Sequence, residues 1–260
     1  MATIAQVRKR LAATSVPTEL ADSLLKDASA LWLSSDNPQQ LAGDLALCYP
    51  PLKRAEVRAR TVSQGDSWRL TVVAHDRNGL LADTAAILSR NDFSIRTASI
   101  ATWDALNLAL FAITIAGDEP SPETLETIGA ALRAAGKGDR PSVTFEPTGR
   151  ASVRNSGSAN GDAMISVVAP DQQGLLAAIC RWFSDAGVSI EAAWITGEAE
   201  ANDVFVVDGE VDVAALERHL TLDDESIQAV VGNMVTDARK AGETMVRRGA
   251  EILAELLKRK

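Results

Sequence analysis

Two copies of one short motif are the residues of this chain whose type and spacing best suit chemistry. The sequence DRNGLL, Asp76 to Leu81, recurs as DQQGLL, Asp171 to Leu176, 95 residues further along the chain. Glycine at a strand-to-helix turn admits a positive φ and lets a ligand approach the backbone closely. The free N–H groups of the helical turn that follows carry partial positive charge, which suits a carboxylate. The motif therefore predicts a carboxylate-binding turn that is present twice.

Other reactive side chains do not form a catalytic set in the sequence. His75 and Asp76 are metal-ligating types, but the chain has only two histidines, and His219 falls in a different predicted helix. The Gly157-Ser158 pair lies in the predicted linker, and no Asp-x-Asp follows it at a workable spacing to hold magnesium. Since no Cys-x-x-Cys and no nucleophile pairing is present either, we expect no metal, no cofactor and no enzyme activity. Asp76 is interpreted as the cap of the helix that follows.

The elements that position the two turns follow from hydrophobic periodicity. The first copy predicts strand Arg69–Ala74, helix Gly79–Arg90, strands Phe93–Thr102 and Leu106–Ala116, helix Pro122–Ala135 and strand Val143–Glu146. This βαββαβ order packs two helices on one face of a four-stranded antiparallel sheet, the ferredoxin-like arrangement. The predicted fold class is therefore α+β, with two ferredoxin-like βαββαβ domains, an N-terminal helical segment and a long C-terminal helix.

The repeat also sets the predicted domain organisation. A helical segment precedes the first domain, which begins with an additional hairpin strand near Val57 to Val62. A Gly/Ser/Asn-rich linker leads to a second domain whose fourth strand is missing or atypical. The predicted boundaries are 1–55 for the helical segment, 56–147 for the first domain, 148–162 for the linker, 163–225 for the second domain and 226–260 for the C-terminal helix.

Composition excludes several classes of partner. The 260 residues are 46% hydrophobic, enough for a sizeable core, and the net charge is −9. An acidic balance disfavours nucleic acid and anionic membrane surfaces, both of which select basic patches. No run of about 18 apolar residues and no signal peptide is recognised. The two cysteines, Cys48 and Cys180, are isolated in the sequence, so we expect a reduced, cytoplasmic protein.

The strand, the Asp-x-x-Gly-Leu-Leu turn and the βαββαβ order resemble ACT domains, which are modules that most often bind amino acids. The closer resemblance is to the C-terminal ACT pair of bacterial PII-protein uridylyltransferase/uridylyl-removing enzymes. It is carried by Glu56–Arg60, Pro141–Glu146 and Asn202–Val207, and the family's catalytic portions are not matched. Asn78 and Gln173 stand where the family favours proline, so each turn is expected to be looser or to offer the ligand a hydrogen bond.

The resemblance implies a non-catalytic amino-acid sensor in nitrogen or amino-acid metabolism, with glutamine as the leading ligand. Turn N–H groups would take the ligand carboxylate, and carbonyls from a strand of the partner domain would take its ammonium. The expected ligand-binding residues are Asp76, Asn78, Gly79, Leu80, Leu81, Ser99, Ile100, Ala101, Asp171, Gln173, Gly174, Leu175, Leu176, Ala193, Trp194 and Ile195. For the four leucines a core role is the favoured interpretation, and Trp103 and Trp194 fit either a pocket or packing.

Two other functions are alternatives to the sensor. The ACT pair could be a ligand-free scaffold for oligomerisation or protein–protein interaction, to which the two proline replacements point. A residual enzyme activity on PII protein would need a metal or nucleophile set, and the sequence offers neither. In the sensor hypothesis we expect a homo-oligomer, formed through the apolar stripe of the C-terminal helix, and a regulated protein partner; whether the two ACT domains pair within or between chains is left open.

Overall fold

The computed structural model describes residues 2–28, 30–159, 162–197 and 199–222. Four short helices form the N-terminal part: α1 Ile4–Leu11, α2 Thr18–Lys26, α3 Ala30–Ser34 and α4 Pro38–Ala46. Helix α1 begins with a capping box in which Thr3 and Gln6 satisfy each other's backbone N–H groups, and Asn37 caps α4. The predicted C-terminal helix, 226–260, lies outside the described residues.

Strands and helices alternate through the rest of the described chain. The strands are β1 Val57–Gln64, β2 Ser67–His75, β3 Ser94–Trp103, β4 Leu108–Ala116, β5 Ser152–Ala159, β6 Asp162–Pro170, β7 Ser189–Thr196 and β8 Glu200–Asp208. The helices are α5 Leu80–Arg90, α6 Pro122–Ala135, α7 Leu175–Asp185 and α8 Val213–Leu220. Within the described residues the eight strands form one antiparallel sheet in the order β1-β2-β4-β3-β7-β8-β6-β5. The predicted α+β class is confirmed.

Each repeat runs ββαββα, which differs from the predicted βαββαβ. The predicted strand Val143–Glu146 is not formed, and β1 pairs with β2 at the sheet edge where a closing strand would lie. The predicted linker, 148–162, contains β5, which takes the same place beside β6. The bounds of β5, β6 and α7 are those of β1, β2 and α5 displaced by 95 residues. The duplicated unit therefore includes β1 in the first repeat and β5 in the second, the strands that precede β2 and β6.

The two repeats join through their second strands. β3 pairs antiparallel with β7, with Thr97 opposite Thr196, Ala98 opposite Ile195 and Ser99 opposite Trp194. Ser99 and Trp194 are themselves equivalent positions of the two repeats, so an approximate two-fold axis passes through this pair. The repeats thus pair within one chain, and each glycine turn is brought to the boundary with the other repeat.

The sheet of the first repeat is covered on both faces. Alternate residues of β2 and β4 belong to the core shared with α5 and α6 on one side and to the core of the N-terminal helices on the other, as Val72 and Val73 show. This explains why β4 is almost continuously apolar, since both of its faces are buried. In contrast, β6 alternates between buried and half-buried positions, as expected for a strand with one covered face.

Buried polar contacts fix the N-terminal helices to the sheet. Asp44 of α4 is fully buried and accepts from Arg60 at 3.0 Å, from Arg69 at 2.5 Å and from Thr71 at 2.7 Å. Trp103 donates its indole N–H to the carbonyl of Leu24 at 2.8 Å, which assigns this tryptophan to packing. No helix among the described residues is long and apolar enough to cross a membrane.

An extended segment, residues 139–150, crosses the helices between α6 and β5; we call it the crossing segment. Arg90 of α5 donates to Ser142 Oγ at 2.8 Å, and Arg181 of α7 donates to the carbonyl of Pro141 at 3.1 Å. Gln172, in the second turn, donates to the carbonyl of Glu146 at 2.9 Å. The crossing segment therefore connects the helices of both repeats and passes over the second turn.

Candidate functional site

Both repeated turns have the backbone conformation that their glycines predict. Gly79 has φ 74° and Gly174 has φ 88°, both left-handed, and each is the N-cap of its helix without a side-chain cap. Asp76 does not cap α5 as expected, because its carboxylate accepts from the backbone N–H of Arg77 at 2.9 Å. The first N–H groups of both helices are therefore not satisfied by a capping side chain.

A cavity of about 480 Å³ opens beside the second turn; we call it the second-turn cavity. The second repeat contributes its turn and the facing ends of β7 and β8, and the first repeat contributes the end of α5 and the start of β3. The residues that line it are Ala85, Ser89, Asp92, Phe93, Ser94, Ile95, Asp171, Gln172, Gln173, Gly174, Leu175, Leu176, Ala177, Ile195, Thr196, Gly197, Ala201 and Asp203.

The two-fold axis generates a smaller, related cavity of about 100 Å³ beside the first turn, the first-turn cavity. Here the first repeat contributes its turn and strands, and the second repeat contributes the end of α7 and the start of β7. The residues that line it are Asp76, Arg77, Asn78, Gly79, Leu80, Leu81, Ala82, Ile100, Thr102, Phe111, Cys180, Ser184, Val188, Ser189 and Ile190.

The structure places twelve of the sixteen expected site residues on a cavity wall. The four that line neither cavity, Ser99, Ala101, Ala193 and Trp194, lie at or near the two-fold axis in β3 and β7. The partner repeat thus faces each turn with a helix end and a strand start, instead of the middle of its strand. The four turn leucines are at most 8% exposed, so they are core residues that also line the cavities.

The residues that replace the family's proline make reciprocal contacts between the repeats. Asn78 donates from its side chain to the carbonyl of Ser184 at 3.1 Å, at the end of α7. Gln173 donates to the carbonyl of Ser89 at 2.6 Å, at the end of α5. These donors and acceptors are equivalent pairs, so the two hydrogen bonds are related by the two-fold axis. The replacements therefore tie each turn to the other repeat.

Arginines close the first-turn cavity but not the second. Asp83 of α5 is fully buried and pairs with Arg77 at 2.7 Å, Arg181 at 2.8 Å and Arg140 at 3.3 Å. The Arg140 guanidinium lies directly over Gly79, where a Cβ atom would overlap it. Over Gly174 the neighbour is backbone, the carbonyl oxygen of Thr144 in the crossing segment.

Acidic side chains dominate the electrostatics of the second-turn cavity. Burial raises the pKa of Asp171, an effect opposed by the Gln172 backbone N–H. Burial, together with the nearby Asp171 carboxylate, raises the pKa of Asp203 to about 7 against the opposing hydrogen bond from the Thr196 N–H. Beside the first turn, burial raises the pKa of Asp76.

Asp203 is a site residue that the sequence reasoning missed. The match is visible only in the pairing register of the folded chain, where Val167 of β6 lies opposite Asp203 and its equivalent Val72 lies opposite Phe111. Asp203 therefore occupies the position that Phe111 fills in the first repeat. A simple displacement by 95 residues hides this match, because β8 begins earlier in its repeat than β4 does.

Among the described residues, no three His, Cys, Asp or Glu side chains converge to hold a metal ion. His75 uses Nδ1 in a 3.1 Å contact with the carbonyl oxygen of Asn107. Burial raises the pKa of the Cys180 thiol well above its usual value, so this cysteine remains an uncharged wall of the first-turn cavity at neutral pH.

Two repeats that share one antiparallel sheet, with a glycine turn at each mutual boundary, define a tandem ACT-type protein. No family model matches the chain. It is 28% identical over 211 residues to a bifunctional uridylyltransferase/uridylyl-removing enzyme of Caulobacter vibrioides, covering 72% of this chain and 20% of that protein. It is 30% identical over 189 residues to the enzyme of that name from Cupriavidus metallidurans, covering 67% of this chain and 22% of the enzyme. The predicted resemblance to the ACT pair of this enzyme is confirmed.

The chain spans about a fifth of the length of these curated relatives. Among solved structures, an aspartate kinase from Synechocystis aligns with a TM-score of 0.36 and 15% identity, over 70% of this chain and 31% of the kinase chain.

Proposed function

We propose that this chain is an amino-acid-binding regulatory module without catalytic activity of its own, and that the second-turn cavity is its main ligand site. The observation that carries the proposal is the cavity at the boundary of the repeats. Its volume of about 480 Å³ lies within the roughly 300–1,000 Å³ that is usual for small-molecule sites. Because both repeats form its wall, a ligand there would stabilise one arrangement of the pair.

The turn gives the cavity a chemical preference for one end of an amino acid. The first-turn N–H groups of Leu176 and Ala177 have no hydrogen-bond acceptor among the described residues. Such groups at a helix N-terminus favour a carboxylate. Glutamine is the leading ligand, since the relatives are uridylyltransferase/uridylyl-removing enzymes, and the regulated process is then nitrogen metabolism.

The test is a thermal unfolding scan of the purified chain against the twenty amino acids at millimolar concentration. A ligand present at 100 times its dissociation constant adds about 2.7 kcal/mol of stability, which shifts the midpoint by several degrees. A selective shift by one or a few amino acids supports the proposal, and glutamine among them supports the nitrogen assignment. If none of the twenty shifts the midpoint, the proposal fails.

A matched pair of variants localises the site. Ser94 is exposed at the second-turn cavity, and Ser189 is the equivalent exposed residue at the first-turn cavity. A tryptophan at either position adds bulk at the cavity wall without disturbing the core. Ser94→Trp should abolish the ligand-induced shift, and Ser189→Trp should preserve it. The reverse pattern would move the site to the first turn.

The second candidate function is a ligand-free scaffold. The reciprocal hydrogen bonds of Asn78 and Gln173 favour it, because these side chains are engaged by the protein itself. A scaffold predicts no response to any amino acid, together with an oligomer that dissociates when residues after 226 are removed, measured by sedimentation.

A further inference from the structure

The two cavities differ most at one pair of equivalent positions. Phe111 forms part of the wall of the first-turn cavity, and Asp203 takes its place in the second. Ile100 and Ile195 are the matching neighbours of these two positions, one in each cavity. An aromatic ring that fills the first repeat's core is thus replaced in the second by a short ionisable side chain, and the space opens to about 480 Å³.

Asp203 is unusual as a buried acid because no Lys, Arg or His of the described residues pairs with it. Only 1% of its surface is exposed, and its one hydrogen-bond donor among the described residues is the Thr196 N–H, 3.2 Å from Oδ1. The second carboxylate oxygen has no donor within the described part of the chain. Removing a carboxylate from water in this way costs several kcal/mol unless an opposite charge accompanies it.

The surroundings of Asp203 increase the need for a cation. The titratable side chains that line the cavity are Asp92, from the end of α5, Asp171, from the second turn, and Asp203 itself. No lysine, arginine or histidine is among its described lining residues. The described lining residues therefore supply no positive charge to Asp203, whereas Asp83, a buried acid in the other repeat, has three arginines around it.

We propose that Asp203, assisted by Asp171, binds the α-ammonium group of the amino acid in the second-turn cavity. This inference rests on the proposed function and assigns its specificity. The ligand's ammonium lies towards β8, and its carboxylate lies towards the N–H groups of Leu176 and Ala177. The cavity thereby offers opposite charges at two ends, which complements a zwitterion and rejects a ligand that lacks the ammonium.

The assignment also fixes the number of strong sites. Phe111 cannot hold a cation by an ionic contact, and Arg140 covers the first turn with a positive charge. The Asp76 carboxylate remains at the first turn, but Phe111 takes the position of Asp203 and the nearby Arg140 charge opposes an ammonium. Each chain therefore binds one amino acid through an ammonium contact, at the second turn.

The experiment measures binding by thermal shift and calorimetry for the twenty amino acids, their N-acetyl derivatives and a set of simple primary amines. The chains are the wild type, Asp203→Asn and Asp208→Asn; the last removes one exposed charge from the same strand outside the cavity. Loss of a hydrogen bond to a charged group is worth about 1.5–3 kcal/mol, or roughly 10- to 150-fold in affinity. We expect that weakening in Asp203→Asn, wild-type affinity in Asp208→Asn, and no binding of the N-acetyl derivatives.

The outcomes separate this proposal from the function on which it rests. An amino acid that binds wild type and Asp203→Asn equally, or an N-acetyl derivative that binds as well as its parent, overturns the ammonium contact and leaves the sensor standing. Binding of primary amines alone, lost in Asp203→Asn, supports the ammonium site and overturns the amino-acid sensor. If neither amino acids nor amines bind the folded wild type, both fail.

The pH dependence of ligand affinity gives a second test, because a purely structural role of Asp203 would not produce it. An ammonium prefers the ionised carboxylate, and the pKa of Asp203 is raised to about 7 by burial. The charged fraction of Asp203 rises about tenfold between pH 6 and pH 8, so the affinity should rise by about the same factor. Asp203→Asn should lose this dependence, and an affinity in the wild type that is flat across this range contradicts the proposal.

Discussion

The first-turn and second-turn cavities share a framework and differ in what fills it. Both have a left-handed glycine, two buried leucines and a side-chain hydrogen bond to the other repeat. In the first, Phe111 and the Arg140 guanidinium leave about 100 Å³, whereas the second, with Asp203, retains about 480 Å³. Duplication thus gave two equal frameworks, and a few side chains decide that one is packed and the other is open.

The largest effect is expected from Asp83, which holds the first-turn cavity closed. Asp83→Asn leaves three partly exposed arginines around a neutral amide, and the equivalent position in α7 is Ala178, which makes no such network. Removing one partner of a buried ion pair costs about 3–5 kcal/mol. Since the arginines are partly exposed, we expect a loss near 3 kcal/mol in chemical denaturation, at the low end of that range. Asp185→Asn, on the exposed part of α7, should change stability little, and equal effects of the two variants would contradict this account.

The glycine turns should differ in their tolerance of a methyl group. Both have positive φ, which costs an alanine about 1–2 kcal/mol. At Gly79 the new Cβ meets the movable end of Arg140, but at Gly174 it meets the Thr144 backbone carbonyl, which cannot turn aside. Gly174→Ala should therefore lose about 2–3 kcal/mol of unfolding free energy, and Gly79→Ala about 1 kcal/mol less. Denaturation curves in which Gly79→Ala is the less stable would reverse our view of the crossing segment.

Asp203 should destabilise the folded, unliganded protein at neutral pH, because its ionised carboxylate is buried. Its folded pKa, about 7, lies above its ordinary value of 3.8, so its cost is absent below pH 4, grows between pH 4 and 7 and is complete above pH 7. Asp203→Asn should thus stabilise the unliganded protein by about 2 kcal/mol at pH 8, since the buried amide keeps part of the cost, and by nothing at pH 4. Unfolding curves of the wild type and Asp203→Asn, measured across this pH range, test this difference in stability. A constant difference between them would show that Asp203 does not titrate in this way.

Much of this architecture could be predicted because the repeated pattern is local. The turn at Gly79 and the helix after it follow from glycine's freedom at positive φ and from 3.6-residue periodicity. Val143–Glu146 is predicted as a fourth strand because its apolar and polar residues alternate as in a strand. The sheet edge was already taken by β1, and this competition between distant segments is not visible in a local pattern.

The contents of the cavities could not be predicted for a related reason. Arg140 reaches Gly79 from 61 positions away, and the Phe111–Asp203 equivalence depends on pairing register. The predicted linker includes Ser152–Ala159 because glycine, serine and asparagine are poor strand formers. Its pairing with β6 overrides that propensity, as its offset from β1 would have indicated.

The smallest effects should come from Asn78 and Gln173, whose side chains make equivalent hydrogen bonds at the two turns. Asn78→Ala and Gln173→Ala each remove one hydrogen bond between the repeats, worth about 0.5–1.5 kcal/mol. The Asn78 hydrogen bond is partly buried and the Gln173 bond is exposed, so loss of the Asn78 bond should cost more, because it leaves the Ser184 carbonyl without this partner in the smaller cavity. At the open cavity water can replace Gln173 at the Ser89 carbonyl. Denaturation of the single and double variants measures both terms, and additivity is expected because each bond lies in a different cavity. If Gln173→Ala costs as much as Asn78→Ala, the two cavities are equally shielded from water, and the contrast between a packed and an open site would have to be given up.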